Sequence, residues 1–346
     1  MVIFMSEKKE NLSLNALIIL AIITVIIFVV GLILLLLGLN EAFYSSSSTI
    51  RSIFKAITFL GEPIVFIVVV AVIYIIYDKG FAKNVALSLL IAVYLNEFFK
   101  NIFKDPRPAT NVDSDKISAE NPSGLVETSY GLPSGHAQDA VGTWGYIAYQ
   151  FRDKPRFYVT PIILTIVTFL VAISRIIIGV HDLQDIIGGL LFGLCFLTLF
   201  IYLEPIISEK FNRLSLSLRL IIVVIASILL FVLGTFLFPT SGKDLLPDPP
   251  SFTDTGGFAQ VGGVLLGLGI GYLLENEYIN YQPSQLNGKQ KIINIVIAIV
   301  ILFVAYFALE ALNDIFDSVI YRYIRYALIA FILFYIVPLI LTKINK

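Results

Sequence analysis

Residues 174–203 read SRIIIGVHDLQDIIGGLLFGLCFLTLFIYL, and this stretch decides the class of fold. Its second part, 185–203, is apolar after Asp185 and is about as long as the 20 residues that a helix needs to cross a bilayer. Its first part carries Arg175 and His181 directly before that apolar run. Ionisable side chains at the end of a membrane span are costly, and they mark a functional site by default. The stretch therefore predicts a membrane helix with a functional site at one end.

The composition extends this interpretation to the whole chain. The 346 residues are 58% hydrophobic and only 14% charged, with a mean hydropathy of +0.89. Soluble domains are roughly 45–50% apolar and about 25% charged, so we expect an all-α polytopic membrane protein in a lipid bilayer. About ten spans are predicted, namely 13–39, 56–77, 84–103, 134–151, 157–178, 185–203, 218–238, 258–274, 292–311 and 326–342.

Several classes of function are excluded by what the chain lacks. The formal net charge is -1 and no basic tail is present, so nucleic-acid binding has no basis. Cys195 is the only cysteine, which excludes intrachain disulfides, cysteine-based zinc sites and iron–sulfur ligation. His136 and His181 are the only histidines, so a site with three histidine ligands is excluded as well. We expect no metal and no cofactor.

The distribution of Lys and Arg among the loops predicts the orientation. With the N-terminus inside, the inner segments carry more of these residues than the outer ones. We therefore expect an integral protein of the cell or plasma membrane with both termini in the cytoplasm. The two longest polar stretches, 104–133 and 239–257, then fall outside, and we expect the first to act as a lid over a headgroup.

The polar residues at the span ends converge on that outer face. Because successive spans cross the bilayer in opposite directions, the end of the third span, the start of the fourth, the end of the fifth and the start of the sixth lie on the same side. Lys100, Arg107 and Arg175 could neutralise an oxyanion there, and the two guanidinium groups offer bidentate geometry for phosphate. His181 and Asp185 are spaced i,i+4. On a helix the carboxylate would fix the imidazole tautomer and favour imidazolium.

The start of the fourth span has the features of an anion site. Ser134 is placed as its N-cap, so that the amides of Gly135 and His136 are first-turn donors at a positive helix end. Gly135 also allows the backbone to approach a ligand closely. With two histidines present, one could attack phosphorus while the other protonates the leaving oxygen.

Three spaced motifs resemble those of the type 2 phosphatidic acid phosphatase (PAP2) superfamily. They are Lys100-x6-Arg107-Pro108, Pro133-Ser134-Gly135-His136 and Ser174-Arg175-x5-His181-x3-Asp185, in that order along residues 13–203. The resemblance implies that His181 is a nucleophile that forms a phosphohistidine, that Asp185 orients it and that His136 is the general acid. It further implies metal-independent catalysis and a phosphate site made by Lys100, Arg107, Ser134, Gly135 and Arg175.

The resulting expectation is a membrane phosphatase with two parts. Residues 1–203 form a six-helix PAP2-like catalytic core, and 204–346 form a C-terminal extension of four helices. The expected substrate is a membrane lipid, either a lipid phosphate or a polyprenyl diphosphate, hydrolysed at the outer membrane interface. Three alternatives stay open: a sugar-phosphate phosphatase resembling glucose-6-phosphatases, a lipid phosphotransferase, and a transporter with a vestigial site.

Two further features lie outside the motifs. Gly263, Gly267 and Gly271 form a small-residue face, which either packs within the chain or makes a homodimer. Glu62, beside Pro63, falls on the outer side by span parity and is a candidate for the wall of the site.

Overall fold

The computed structural model describes residues 14–110, 129–238, 256–312, 315–316 and 318–345. Within these ranges the chain is helical and contains no strand. The α-helices are α1 (Leu14–Leu36), α2 (Ser48–Thr58), α3 (Pro63–Ile76), α4 (Lys79–Phe103), α5 (Gly135–Ala140), α6 (Tyr146–Phe151), α7 (Thr160–Ile177), α8 (Leu183–Asn212), α9 (Leu216–Leu237), α10 (Gly256–Leu274), α11 (Gly288–Glu310), α12 (Val319–Phe331) and α13 (Val337–Ile344).

The all-α polytopic fold is confirmed, but the count of ten spans is not. Of the helices in the described ranges, eight are long and apolar enough to cross a membrane, or nine if the bent pair α2–α3 is one span. That pair bends by 45° at Glu62–Pro63, where proline begins α3. The predicted span 134–151 is not among these eight, although it is helical over 135–151, with a π-helical turn, Val141–Gly145, between α5 and α6.

This short helix, α5–α6, lies inside the molecule. It packs against α4, α7 and α8. The packing is tight: a Cβ on Gly189 of α8 would lie 2.6 Å from the carbonyl oxygen of Ser134, and one on Gly142 would lie 3.0 Å from Ala92 of α4. Protein rather than lipid therefore surrounds the helix, which allows it to carry polar residues.

The glycine face of α10 is covered by α12. A Cβ on Gly263 would lie 2.2 Å from the carbonyl oxygen of Tyr323, and one on Gly267 would lie 2.0 Å from that of Ala327. The backbones approach this closely because no side chain intervenes. Packing within the chain is thus the correct alternative. The homodimer through Gly263, Gly267 and Gly271 is not supported, because the face is already occupied.

A buried ion pair ties the C-terminal helices to the rest of the chain. Glu275, which is fully buried, accepts hydrogen bonds from Lys79 Nζ at 2.8 Å, from Tyr281 N at 2.6 Å and from Tyr74 Oη at 3.2 Å. These contacts connect the π-helical segment that follows α10 with the end of α3 and the start of α4. The predicted boundary at 203/204 falls within the continuous helix α8, and the division into two parts stays a prediction.

Both long polar stretches lie mainly outside the described residues. Residues 111–128 and 239–255 are not described. The role of 104–133 as a lid and the outer position of 239–257 therefore stay predictions.

Candidate functional site

Lys100 and Arg107 share a partner, Ser129. Lys100 is 5% exposed near the end of α4, and its Nζ donates to Ser129 Oγ at 2.8 Å. Arg107 donates from Nη2 to the same Oγ at 2.9 Å and from Nε to the carbonyl oxygen of Ser129 at 2.6 Å. Ser129 thus holds two of the predicted phosphate-binding cations side by side.

His181 lies between a carboxylate and a guanidinium group. Its Nδ1 is 2.8 Å from Asp185 Oδ2, and its Nε2 is 2.9 Å from Arg107 Nη1. Because guanidinium nitrogens only donate, Nε2 must be the acceptor and the ring proton must lie on Nδ1, where it bonds Asp185. The backbone N–H of Asp182 donates to the same carboxylate oxygen at 3.2 Å. The i,i+4 spacing therefore places Asp185 as expected and selects one tautomer.

The charge on His181 differs from the expectation of imidazolium. Burial lowers the pKa of His181 well below its usual range, and the positive charges of Arg107, Arg175 and Lys100 lower it further. Burial and the three cations therefore oppose the imidazolium that the single carboxylate was expected to favour. A neutral ring has a lone pair on Nε2, which is the form that can attack phosphorus.

Ser134 occupies the N-cap of α5, but its side chain does not cap the helix. Its Oγ is fully buried and has no hydrogen-bond partner among the described residues. The backbone N–H of Ser134 donates to the carbonyl oxygen of Asp185 at 2.9 Å, which ties the start of α5 to α8. Asn96 of α4 fixes the preceding residue by donating to the Pro133 carbonyl at 3.1 Å. The hydroxyl is consequently available to a ligand.

Gly135 and His136 follow at the first turn of α5. A Cβ on Gly135 would lie 3.2 Å from Asn96 Oδ1, so a larger residue would press on the side chain that fixes Pro133. His136 Nε2 lies 3.2 Å from Glu62 Oε1 at the α2–α3 bend. Glu62 is thus part of the site wall, and it contacts one of the two histidines directly.

Arg175 approaches the site from the end of α7. It is 2% exposed, and its Nη1 donates to Thr58 Oγ1 at 3.1 Å. Its charge, like that of His136, acts on His181. The structure thus brings the eight predicted residues together at one end of the bundle: Lys100, Arg107, Ser134, Gly135, His136, Arg175, His181 and Asp185.

Sequence reasoning missed Ser129 and Thr58. Each acts by accepting hydrogen bonds from cationic side chains of the site. Neither has a sequence signal, because single hydroxyl residues near span ends are common and have no fixed spacing to the motifs. In the described part of the chain, no group of three or more His, Cys, Asp or Glu residues could hold a metal ion.

Two family models match the chain. The model of the PAP2 superfamily matches residues 81–208, which contain all three motifs. The chain belongs to the PAP2 superfamily. A second model, the transmembrane extension of PAP2 superfamily phosphatases, matches residues 259–346. The expectation of a PAP2-type phosphatase in a membrane is confirmed at the level of the family.

Three curated relatives show how far the similarity extends. Human dolichyldiphosphatase 1 is 27% identical over 46% of this chain and 68% of its own length. An undecaprenyl-diphosphatase of Sulfolobus acidocaldarius is 28% identical over 43% of this chain and 68% of its own. Phosphatidylglycerophosphatase B of Bacillus subtilis is 36% identical over 25% of this chain and 43% of its own. Much of this PAP2 chain thus lies beyond each alignment.

The chain is also similar to a solved structure. It is the crystal structure of a transmembrane PAP2-type phosphatidylglycerolphosphate phosphatase from Bacillus subtilis, with a TM-score of 0.41 and 22% identity. The match covers 53% of this chain and 96% of that one.

Proposed function

We propose that this PAP2 protein hydrolyses a lipid phosphate, and among these a polyprenyl diphosphate, through a phosphohistidine on His181. The observation that carries the proposal is the environment of Nε2 on His181. This nitrogen is unprotonated and faces Arg107, while Lys100, Arg175 and the open hydroxyl of Ser134 belong to the same cluster. A phosphoryl group bound by these residues would lie next to the lone pair on Nε2 of His181, which can attack phosphorus.

The first chemical step transfers the phosphoryl group to His181. Nε2 forms a bond to phosphorus as the bond from phosphorus to the leaving oxygen breaks, and His136 donates a proton to that oxygen. Lys100, Arg107 and Arg175 neutralise the phosphoryl oxygens. Nδ1 keeps its proton, and Asp185 stabilises the positive charge that develops on the phosphorylated ring.

The second step releases phosphate. His136, now neutral, takes a proton from a water molecule that attacks phosphorus, and the bond to Nε2 breaks. His181 returns to its neutral form and His136 to its protonated form. Positioning and charge stabilisation account for most of the acceleration in phosphoryl transfer, and the side chains of this site supply both. The reaction therefore requires no metal, and a chelator is expected to leave it unchanged.

A strip of phenylalanines beside the cations supports a lipid substrate. Phe99 and Phe103 flank Lys100 on α4, and both stack on Phe192 of α8, with ring centroids 4.5 and 6.1 Å apart. Phe192 in turn stacks on Phe196 at 6.3 Å. None of the four is buried. We infer that the hydrocarbon chain of the substrate lies along this strip while its phosphate binds the cations.

The names of two relatives favour a polyprenyl diphosphate. Dolichyldiphosphatase and undecaprenyl-diphosphatase both name polyprenyl diphosphates, and both alignments cover about two thirds of the relative. The excess of Lys and Arg in the inner loops supports cytoplasmic termini and an outward-facing site. We retain 1–203 as the catalytic core and 204–346 as the extension, whose second part matches the PAP2 extension model.

An assay of the purified protein in detergent tests the proposal. Phosphate release from a polyprenyl diphosphate, phosphatidic acid and glucose 6-phosphate is compared for the wild type and His181→Ala, with and without EDTA. We expect metal-independent release from the lipids and none from the variant. Preference for glucose 6-phosphate would favour the sugar-phosphate alternative, and transfer to an added alcohol would favour a phosphotransferase. No turnover by the wild type would favour the transporter.

A further inference from the structure

The bend between α2 and α3 brings a carboxylate to His136. Glu62 is the N-cap of α3, directly before Pro63, and its Oε1 lies 3.2 Å from His136 Nε2. The side chain of Glu62 is 40% exposed, whereas that of His136 is 16% exposed. Three motifs define the proposed site, and Glu62 belongs to none of them.

The bend is fixed to the helices that carry the site. Trp144 Nε1 donates to the carbonyl oxygen of Leu60 at 3.2 Å, and Arg175 Nη1 donates to Thr58 Oγ1 at 3.1 Å. A Cβ on Gly61 would lie 2.9 Å from His136 Cδ2, so the backbone itself rests against the imidazole. Glu62 is therefore held next to His136 by its neighbours, unlike a surface carboxylate on a mobile segment.

We propose that Glu62 is the positioning residue of the general acid: it accepts the Nε2–H of His136 and keeps the ring in its proton-donating form. This inference rests on the proposed phosphatase function. The bond to Glu62 leaves Nδ1–H for the leaving oxygen. When that proton has moved, the neutral ring still donates Nε2–H to Glu62, and Nδ1 accepts the proton of the attacking water.

Charge is the second part of the role. His136 and the cations Arg107, Arg175 and Lys100 all act on His181 through their charges, so a charged His136 adds to an already positive site. On its own helix, Asp139 follows one turn later and interacts with Lys100. Glu62 contacts His136 itself and therefore favours imidazolium most directly. The site then holds two carboxylate–histidine pairs with opposite tasks, in which Asp185 supports a neutral nucleophile and Glu62 supports a charged acid.

The test compares leaving groups. Glu62→Gln, Glu62→Asp and His136→Ala are assayed with a lipid monophosphate, whose alkoxide leaves poorly, and with nitrophenyl phosphate, whose phenolate leaves without help. General acids contribute roughly 10²–10⁴ in rate, so we expect Glu62→Gln to lose about 10- to 100-fold in kcat on the lipid. In the initial burst of nitrophenol from nitrophenyl phosphate, which reports the first step alone, it should lose less than about threefold. Glu62→Asp should recover part of the loss.

A pH profile separates this role from a structural one. Without the carboxylate, His136 loses its proton more readily, so the alkaline limb of kcat on the lipid should move to lower pH in Glu62→Gln. The control is Glu41→Gln, which removes an exposed carboxylate near the start of α8. It should shift neither the alkaline limb of the pH profile nor the ratio of the rates on the two substrates.

Each outcome bears on the inference. Equal losses in the first step on both substrates, or wild-type behaviour of Glu62→Gln, would overturn the role of Glu62 while an inactive His181→Ala still supports the phosphatase. A wild type without activity, or an active His181→Ala, would instead overturn the proposed function, and the inference with it.

Discussion

Arg107 Nη1 lies 2.9 Å from His181 Nε2, so the residue that we propose to bind phosphate also covers the nitrogen that we propose as the nucleophile. The same guanidinium nitrogen donates to the Val180 carbonyl at 2.8 Å, and the group is further held by Ser129. A phosphoryl oxygen is a stronger acceptor than an imidazole nitrogen. In the proposed reaction, we therefore expect substrate binding to withdraw Arg107 from Nε2 and to expose the lone pair to phosphorus.

This relationship predicts the tautomer and charge of His181. The chain has two histidines, so ¹⁵N-histidine NMR of His136→Gln reports on His181 alone. We expect a neutral ring protonated on Nδ1 at pH 7. Because burial and the cations lower its pKa, the ring should stay neutral below about pH 6.5, where a free imidazole would be half protonated. An imidazolium signal at pH 7 would refute the assignment.

Ser129 should matter although no motif contains it. Ser129→Ala removes the hydroxyl that accepts from both Lys100 and Arg107, so these cations lose a shared anchor. A hydrogen bond to a charged group contributes about 1.5–3 kcal/mol, so we expect kcat/KM to fall by roughly 10- to 100-fold. Steady-state kinetics check this, with the exposed Ser46→Ala as control. An unchanged kcat/KM in Ser129→Ala would show that the anchor is dispensable.

The sequence predicted the motifs and most of the helices, because each depends on local information. Long apolar helices such as α9 and α11 face lipid, which requires a continuous apolar run. The span predicted at 134–151 is the helix α5–α6, but the sequence does not show that protein surrounds it, and the 45° bend at Glu62 has only Pro63 as a local signal.

Contacts between distant residues could not be predicted. The approach of Glu62 to His136 and of Ser129 to Lys100 depends on how helices pack. The charge of His181 depends on burial and on three cations from different elements, which the spacing of His181 and Asp185 does not reveal.

The phenylalanine strip should determine selectivity for long chains. Each buried methylene contributes about 0.8 kcal/mol, so kcat/KM should rise with chain length when partitioning into micelles is held constant. Phe192→Ala shortens the strip where Phe99 and Phe103 stack, and we expect it to reduce this rise. Kinetics on a homologous series of lipid phosphates measure the effect, with the lipid-exposed Phe236→Ala as control. If kcat/KM rises equally steeply with chain length in Phe192→Ala, the hydrocarbon chain of the substrate does not lie along this strip.

The orientation predicts which surfaces a membrane-impermeant reagent can reach. In a Cys195→Ala background, Glu41→Cys lies near the site and Asp153→Cys lies on the connection between α6 and α7, and both positions are exposed. We expect an impermeant maleimide to label the first variant in intact cells, and the second only after lysis. The reverse pattern would place the site on the cytoplasmic side.

Trapping the phosphorylated enzyme tests the central claim most directly. His136→Ala should still be phosphorylated by nitrophenyl phosphate, whose leaving group needs no acid, but it lacks the base for hydrolysis, so the intermediate should accumulate. Alkaline quenching, digestion and mass spectrometry are then expected to find one phosphoryl group on His181, and none in the His136→Ala/His181→Ala double variant. A burst of nitrophenol without phosphate on His181, or with phosphate on another residue, would contradict the account.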